Sequence, residues 1–270
     1  MKRIDIIKAI GIFSLVLLFG SCFSIPGPSY GPLGSMRNSA ENRMNAEIAS
    51  GIGLTGMTRK MMFNMMYAQV FYIGGFGANF YGLEETQGAI WRIESRDEDG
   101  TAHRADAERA LLKKLSDGDQ WWYLAWKEDG ETIEFEALMN KDNQAKKIRY
   151  YNADVKRVEE AVFKETANKN SEEAPPPDAA ASTISREDLA SLSRGRETLR
   201  LNSGTYNTER LEWNYTDEDE KTTYTYTWWV DSNAAGGLVK YNWTKAGSKE
   251  GFSGELYSLK KGYTTKFSSF

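Results

Sequence analysis

The most regular pattern in the chain is an alternation of apolar and polar residues in its C-terminal third. Leu211, Trp213 and Tyr215 alternate with polar neighbours, and the same period of two continues further along the chain. Residues two apart lie on the same face of a strand, so the pattern predicts strands that each bury one aromatic face. The predicted strands cover residues 211–215, 223–230, 239–244, 255–259 and 263–267.

The middle of the chain also predicts strands. They cover residues 89–94, 121–126, 132–139 and 146–151. Polar turns with Asp-Gly at 116–119 and 128–131 separate some of them, and Asp-Gly accepts the positive φ of tight hairpin turns. The sheet is therefore expected to be antiparallel. Residues 105–115 can form a short helix or a strand, and their intrinsic propensity favours the helix.

Two longer helices are predicted, at 42–66 and 154–166. The first carries methionines at spacings of three and four, which we interpret as core packing rather than as an adaptable binding surface. After it, residues 67–75 predict the first strand. The glycine-rich stretch 74–82 predicts a turn or a bulged strand.

Together these elements predict an α+β fold, with a curved antiparallel β-sheet or an unclosed half-barrel, an N-terminal helix and a short helical insertion. The insertion follows a proline-rich loop at about 167–184 that has no periodicity and includes three consecutive prolines. We interpret residues 42–270 as one β-rich domain interrupted by this loop. Two separate domains joined by the loop remain the alternative.

The N-terminus resembles the signal peptide of bacterial lipoproteins. A basic start is followed by an apolar run at 9–19, too short to span a bilayer, and small residues then precede Cys22. This resemblance to a lipobox implies cleavage after residue 21 and a lipid on Cys22, although Phe19 stands where leucine is usual. An ordinary cleaved signal peptide is the alternative. Residues 22–41, rich in Pro, Gly and Ser, then form a flexible tether.

Charge and composition exclude several classes of protein. The net charge of the whole chain is −4, and removal of residues 1–21, which carry a net +2, leaves −6. This balance argues against nucleic-acid binding and against electrostatic attraction to a membrane surface. Contact with a membrane would therefore depend on the lipid at Cys22. With Cys22 acylated no thiol remains, and His103 is the sole histidine. We therefore expect no cofactor, no metal centre and no enzymatic activity. The resemblance to a lipobox implies a place in the bacterial cell envelope, and the sequence identifies no protein partner.

Three acidic stretches are candidate sites, and we interpret each as an ordinary solvated element. Residues 97–108 carry carboxylates at some calcium-loop positions, but the glycine is misplaced. The acidic run 217–220 has the character of a charged hairpin tip. Glu134 and Glu136 share one face of a strand, where outward-facing glutamates are ordinary.

The aromatic residues give the one functional signal that exceeds ordinary core composition. In the strand 121–126, Trp122, Leu124 and Trp126 point to one face while three further apolar residues point to the other. Such a strand is covered on both sides, or covered on one side and open to a cavity on the other. The cavity hypothesis places a hydrophobic ligand against Trp91, Trp122, Leu124 and Trp126. The alternative is that these rings simply fill the core.

Two stretches resemble the LolA/LolB superfamily of periplasmic lipoprotein carriers. Residues 85–91 (ETQGAIW) are similar to its E-G-Q-G-x-x-W stretch, with Thr86 in place of the first glycine, and residues 116–123 (SDGDQWWY) are similar to its S-D-G-x-x-x-W-x-Y stretch. The resemblance implies an unclosed barrel with a helical lid and a cavity for acyl chains. It leads to the hypothesis of non-enzymatic binding of a lipid or acyl chain. A surface or envelope interaction module with a fully packed core is the alternative.

Overall fold

A computed structural model of the protein describes residues 54–75, 82–153, 155–163, 191–217 and 221–267. These residues form one α-helix, a short 3-10 helix and eleven strands. The helix α1 covers Leu54–Phe71, and the 3-10 helix Ile73–Gly75 follows it. The strands are β1 (Gln87–Arg96), β2 (Ala102–Lys114), β3 (Gln120–Glu128), β4 (Glu131–Met139), β5 (Ala145–Asn152), β6 (Arg157–Val162), β7 (Ser193–Leu201), β8 (Gly204–Asp217), β9 (Thr222–Val230), β10 (Leu238–Lys245) and β11 (Gly251–Lys261).

All eleven strands belong to a single antiparallel sheet, in the order β6-β5-β4-β3-β2-β1-β11-β10-β9-β8-β7. Strands β1–β6 and β7–β11 are two meanders, and the pairing of β1 with β11 joins them. The strands β6 and β7 at the two ends are not paired with each other, so the sheet does not close. The predicted fold class, a curved antiparallel sheet or unclosed half-barrel with a helix, is confirmed.

Of the two structures considered for residues 105–115, the strand forms and the helix favoured by propensity does not, because these residues belong to strand β2 through Lys114. Ala105, Ala107 and Leu111 are buried on one face of β2, while Glu108 and Leu112 occupy the other. The strand pairs along its length with β1 on one side and β3 on the other. This pairing outweighs the helix propensity of alanine, lysine and leucine.

The predicted strand at 67–75 was also wrong, because α1 continues through Phe71. The buried residues Phe63, Met66 and Val70 recur at spacings of three and four, and Phe71, eight residues after Phe63, is also buried. That spacing is the period of a helix with one apolar face, and it extends the pattern that predicted the helix upstream.

The predicted helix at 154–166 is likewise incorrect over its described part, where β6 occupies Arg157–Val162. The apolar helix face expected there does not exist, since Val155 and Val162 are 50% and 63% exposed. The segment instead pairs with β5 as an edge strand. Its valines suit a strand, and charged residues between them are common on sheet edges.

The C-terminal strands were predicted with two errors. The strand β7 was not predicted, and it is mostly exposed, so it lacks the apolar alternation that reveals a half-buried strand. The strand predicted at 263–267 does not form, because β11 ends at Lys261 and residues 262–265 have no regular secondary structure.

Several predictions lie outside the described residues. They are the signal peptide 1–21, the tether 22–41, the first part of the helix at 42–66, most of the glycine-rich stretch 74–82, the proline-rich loop 167–184, the start of the short helix that follows it, and the acidic tip at 218–220.

Candidate functional site

The sheet has two different faces, and the helix identifies the one that holds the predicted site. We call the face that packs against α1 the inner face and the opposite one the outer face. The four residues predicted to bind a ligand, Trp91, Trp122, Leu124 and Trp126, all lie in the inner-face core. Each of them is at least 95% buried in this structure. The structure therefore brings all four side chains to the inner face, where they are buried.

The cover over Trp122 is provided by α1, which packs against β2 and β3. Phe71 meets Trp122 edge to face, with ring centroids 5.2 Å apart at 86°. The indole N–H of Trp122 donates to Oε1 of Gln120 at 3.1 Å, so its polar atom is satisfied within its own strand. In the same way, the indole N–H of Trp126 donates to Glu128 at 2.9 Å.

A buried arginine links the end of α1 to the sheet. Arg109 lies fully buried on the inner side of β2, and its guanidinium donates to the carbonyl oxygen of Val70 at 3.1 Å. That carbonyl belongs to the last turn of α1, where the helix dipole attracts a cation. Burial lowers the pKa of Arg109 to about 9, so it stays charged at neutral pH.

The other half of the inner face is lined by aromatic rings from β8, β9 and β10. Tyr226 and Trp228 stack on one strand with centroids 5.9 Å apart at 13°. Tyr224 stacks on Trp243 of the neighbouring strand at 5.7 Å and 15°. These rings form a broad apolar surface that also carries hydroxyl and indole groups.

Tyr241 of β10 is held in place by two glycines. A Cβ atom at Gly254, its partner on β11, would lie 2.5 Å from Cε1 of Tyr241, and one at Gly74 would lie 2.4 Å from Cγ. The ring therefore lies across β11 and beneath the 3-10 helix. Gly74 also has a φ of 59°, which favours glycine, and its carbonyl accepts the indole N–H of Trp228 at 2.6 Å.

Some polar atoms on this surface have no partner among the described residues. They are Nε1 of Trp91, the hydroxyl of Tyr241 and Nε1 of Trp243. Burial raises the pKa of the Tyr241 hydroxyl well above its usual value, so the group remains a donor. Sequence reasoning chose Trp91 but missed Tyr241 and the rings of β9, although their period-two alternation predicted that they share a buried face.

The outer face carries a second, smaller apolar cluster that includes Trp121 and Tyr123. Residues 262–267 after β11 lie across it, and we call them the C-terminal strap. The hydroxyl of Tyr263 donates to Glu108, which also accepts a hydrogen bond from Lys127. Both faces of β3 are therefore covered.

Glu136 differs from the exposed glutamate expected at this position. It points to the outer face as predicted, but it is 0% exposed because the strap lies over it. Its carboxylate accepts hydrogen bonds from the amide of Lys266 at 2.6 Å and the hydroxyl of Thr265 at 2.8 Å. Glu134 on the same strand pairs with the ammonium group of Lys266 at 2.7 Å. Both carboxylates thus hold the strap.

The acidic stretch at 97–108 contains the turn between β1 and β2, at 97–101, and the first half of β2. The amide of Asp97 donates to the carbonyl of Thr101 at 3.0 Å, and His103 pairs with Asp97 at 3.0 Å. Within the described residues no three His, Cys, Asp or Glu side chains are grouped as metal ligands would be. No helix in the described part of the chain has the length and apolar character required to cross a membrane.

Comparison with known proteins gives only distant structural similarity. No family model and no curated protein matches the chain. A Bacteroides fragilis protein with a YmcC-like fold, described as exported, is 10% identical with a TM-score of 0.35, over 67% of this chain and 98% of that chain. A Parabacteroides distasonis protein, described as a lipoprotein, is 12% identical with a TM-score of 0.33 over the same shares. A LolA superfamily protein from Nitrosomonas europaea is 12% identical, with a TM-score of 0.28 over 73% and 94%.

Proposed function

We propose that this protein is a bacterial cell-envelope lipoprotein, anchored through Cys22, that binds a lipid or acyl chain without catalysing a reaction. The observation that supports this proposal is the inner face. The sheet does not close, and aromatic and aliphatic side chains line its inner face across the neighbouring strands β3, β2, β1, β11, β10 and β9. Broad apolar surfaces with a few polar groups suit long hydrocarbon ligands.

Access to the predicted site depends on α1. Because Phe71 packs on Trp122, a ligand reaches that ring only when the helix moves away from β2 and β3. The contact between Arg109 and the carbonyl of Val70 fixes the helix end in the covered state. We propose that α1 acts as the movable cover of the inner face and that the hydrocarbon chain takes its place against Trp122, Leu124 and Trp126.

Native mass spectrometry tests this proposal on the whole exported chain, released gently from a mild detergent. We expect a non-covalent lipid in addition to any acyl groups attached to Cys22. Trp122→Ala should lose this lipid, whereas Trp121→Ala, its neighbour on the outer face, should retain it. A protein that carries no lipid and takes up neither added fatty acid nor phospholipid would contradict the proposal.

One observation favours the alternative, a protein-interaction module. Tyr151 of β5 and Val162 of the edge strand β6 are 50% and 63% exposed, so this end of the sheet presents two large apolar side chains to a partner. If a protein partner binds there, Tyr151→Ser with Val162→Ser should abolish its cross-linking to the chain in cells. Retention of the partner by this double variant would exclude β6 as the contact.

A further inference from the structure

Two hydrogen-bond donors are buried on neighbouring rings of the inner face without partners among the described residues. Nε1 of Trp91 belongs to a side chain that is 0% exposed, and the hydroxyl of Tyr241 to one that is 2% exposed. The centroids of the two rings are 6.0 Å apart. Neither group donates to the other or to any other group in the described part of the chain.

An unpaired buried donor is unfavourable, because the group loses its bonds to water and gains none in return. A phenylalanine at position 241 would fill the same space without that loss. The placement of Tyr241 is nevertheless enforced from two sides, since neither Gly254 nor Gly74 leaves room for a Cβ atom beside the ring. The fold thus fixes a hydroxyl where no described residue accepts its hydrogen bond.

A third unpartnered donor lies on the same face of the sheet. Nε1 of Trp243 is also buried without a partner in the described part of the chain, and Trp243 lies two residues after Tyr241 on the same face of β10. All three groups are neutral donors, and they lie among aromatic rings and aliphatic side chains. The partner that fits them is an acceptor carried by an otherwise apolar molecule.

We propose that Trp91 and Tyr241 bind the carbonyl oxygen of an acyl ester, so that the ligand of the inner face is an esterified lipid rather than a free fatty acid. This inference rests on the proposed lipid-binding function. A carbonyl oxygen has two lone pairs and can accept from both donors. A carboxylate is disfavoured at these two donors, because both are neutral and the guanidinium of Arg109 on the same face already donates to the carbonyl oxygen of Val70. A buried anion in that position loses far more solvation than it regains.

The test compares three probes with the same chain length, dodecane, methyl laurate and laurate, binding to the whole exported chain in nanodiscs. The measured quantity is the ratio of the affinities for ester and alkane. Partition of a probe into the disc is the same for every variant, so it cancels when variants are compared. Wild-type protein should prefer methyl laurate to both dodecane and laurate.

The decisive variant is Tyr241→Phe, which removes only the hydroxyl. It should lower the ratio of ester to alkane affinity by about 5- to 10-fold, the usual effect of one lost neutral hydrogen bond, and leave dodecane binding unchanged. The matched control is Tyr123→Phe on the outer face, whose hydroxyl donates to Glu134 at 2.7 Å. This control should leave the ratio unchanged.

Thermal unfolding of the ligand-free variants shows whether each protein remains folded. Tyr241→Phe should unfold at the wild-type temperature or above it, because it removes an unpaired polar atom, whereas Tyr123→Phe should unfold at a lower temperature. An unchanged affinity ratio in folded Tyr241→Phe would overturn the inference and leave a buried water as the partner of the hydroxyl. Equal binding of all three probes to wild type would also overturn it while lipid binding stands, whereas binding of none would contradict the proposed function itself.

Discussion

At the scale of single residues, one strained backbone position coincides with a departure from the sequence of the resembled family. Thr86 has a φ of 64°, in the left-handed region that disfavours β-branched residues, and it stands where the E-G-Q-G-x-x-W stretch has glycine. Its amide donates to the carbonyl of Leu111 at 2.7 Å, and its carbonyl accepts from the amide of Tyr263 at 3.0 Å. These two hydrogen bonds hold the left-handed backbone conformation, which a β-branched residue such as threonine disfavours.

Thr86→Gly should therefore stabilise the protein. Relief of the left-handed strain outweighs the greater freedom of glycine in the unfolded chain, so we expect the free energy of unfolding to rise by about 0.5–1 kcal/mol in chemical denaturation. Thr132→Gly, in strand β4 and without a positive φ, should instead destabilise by a similar amount. Equal destabilisation by both changes would contradict the strain.

Gly254→Ala tests the packing that holds Tyr241. The added Cβ would lie 2.5 Å from the ring, so the tyrosine or the strand must shift, and we expect a loss of about 1–3 kcal/mol of unfolding free energy. Gly251→Ala, three residues earlier on β11, meets only a backbone oxygen at 3.1 Å and should have a much smaller effect. Similar melting temperatures for the two variants would show that the ring is not confined.

The sequence predicted the candidate site in part, and the reason is visible in individual residues. The alternation in β3 placed Trp122, Leu124 and Trp126 on one face, because strand periodicity is a local property. The place of Tyr241 depends on Gly254, which is adjacent only after β10 and β11 pair, and on Gly74, which is far away in the chain. Because these contacts form only in the folded chain, no local sequence pattern predicts them.

At the scale of elements, strands with a clear apolar alternation, such as β9 and β10, were predicted correctly. Propensity favoured a helix for β2 and the pattern predicted a helix over β6. Both contain charged residues and helix formers, and their conformation is set by neighbouring strands rather than by propensity. The C-terminal strap shows the same dependence. It crosses the outer face because Glu108 and Glu136 bind its side chains and backbone, and nothing within 262–267 indicates this.

The C-terminal strap should make the free energy of unfolding depend on pH in the acidic range. Burial raises the pKa of Glu108, but hydrogen bonds from Lys127 and Tyr263 outweigh it, so the net pKa lies below the ordinary 4.5. A carboxylate with a depressed folded pKa stabilises the native state above its unfolded pKa and loses that contribution as the pH falls through the folded value. Unfolding free energy should therefore decrease below about pH 4.5.

Glu108→Gln isolates this contribution, since Glu159 and Glu160 also have lowered pKa values and add a background of the same sign. The variant should be less stable than wild type at pH 7, and the difference should shrink as the pH falls towards 3 in urea titrations. Glu131→Gln, exposed at the start of β4, serves as the control and should change neither value. A difference that stays constant with pH would contradict the role of Glu108.

At the scale of the whole molecule, the two meanders depend on each other through the central pair β1–β11. Ten registered residue pairs join these strands, and without them each meander would expose a new sheet edge. A single protease cut within the proline-rich segment 167–184 should therefore leave two fragments that co-purify under native conditions. Two fragments that separate and remain folded would show two independent domains instead.

The most direct test of ligand binding at the inner face is tryptophan quenching by a phospholipid with brominated acyl chains. Of the eight tryptophans, six lie in or against the inner-face core, while Trp121 and Trp229 point to the outer face. Our account predicts strong quenching of wild type, and a larger quenched fraction after Trp121→Phe with Trp229→Phe, because only inner-face rings then remain. Quenching that disappears in this double variant would place the lipid on the outer face and contradict the account.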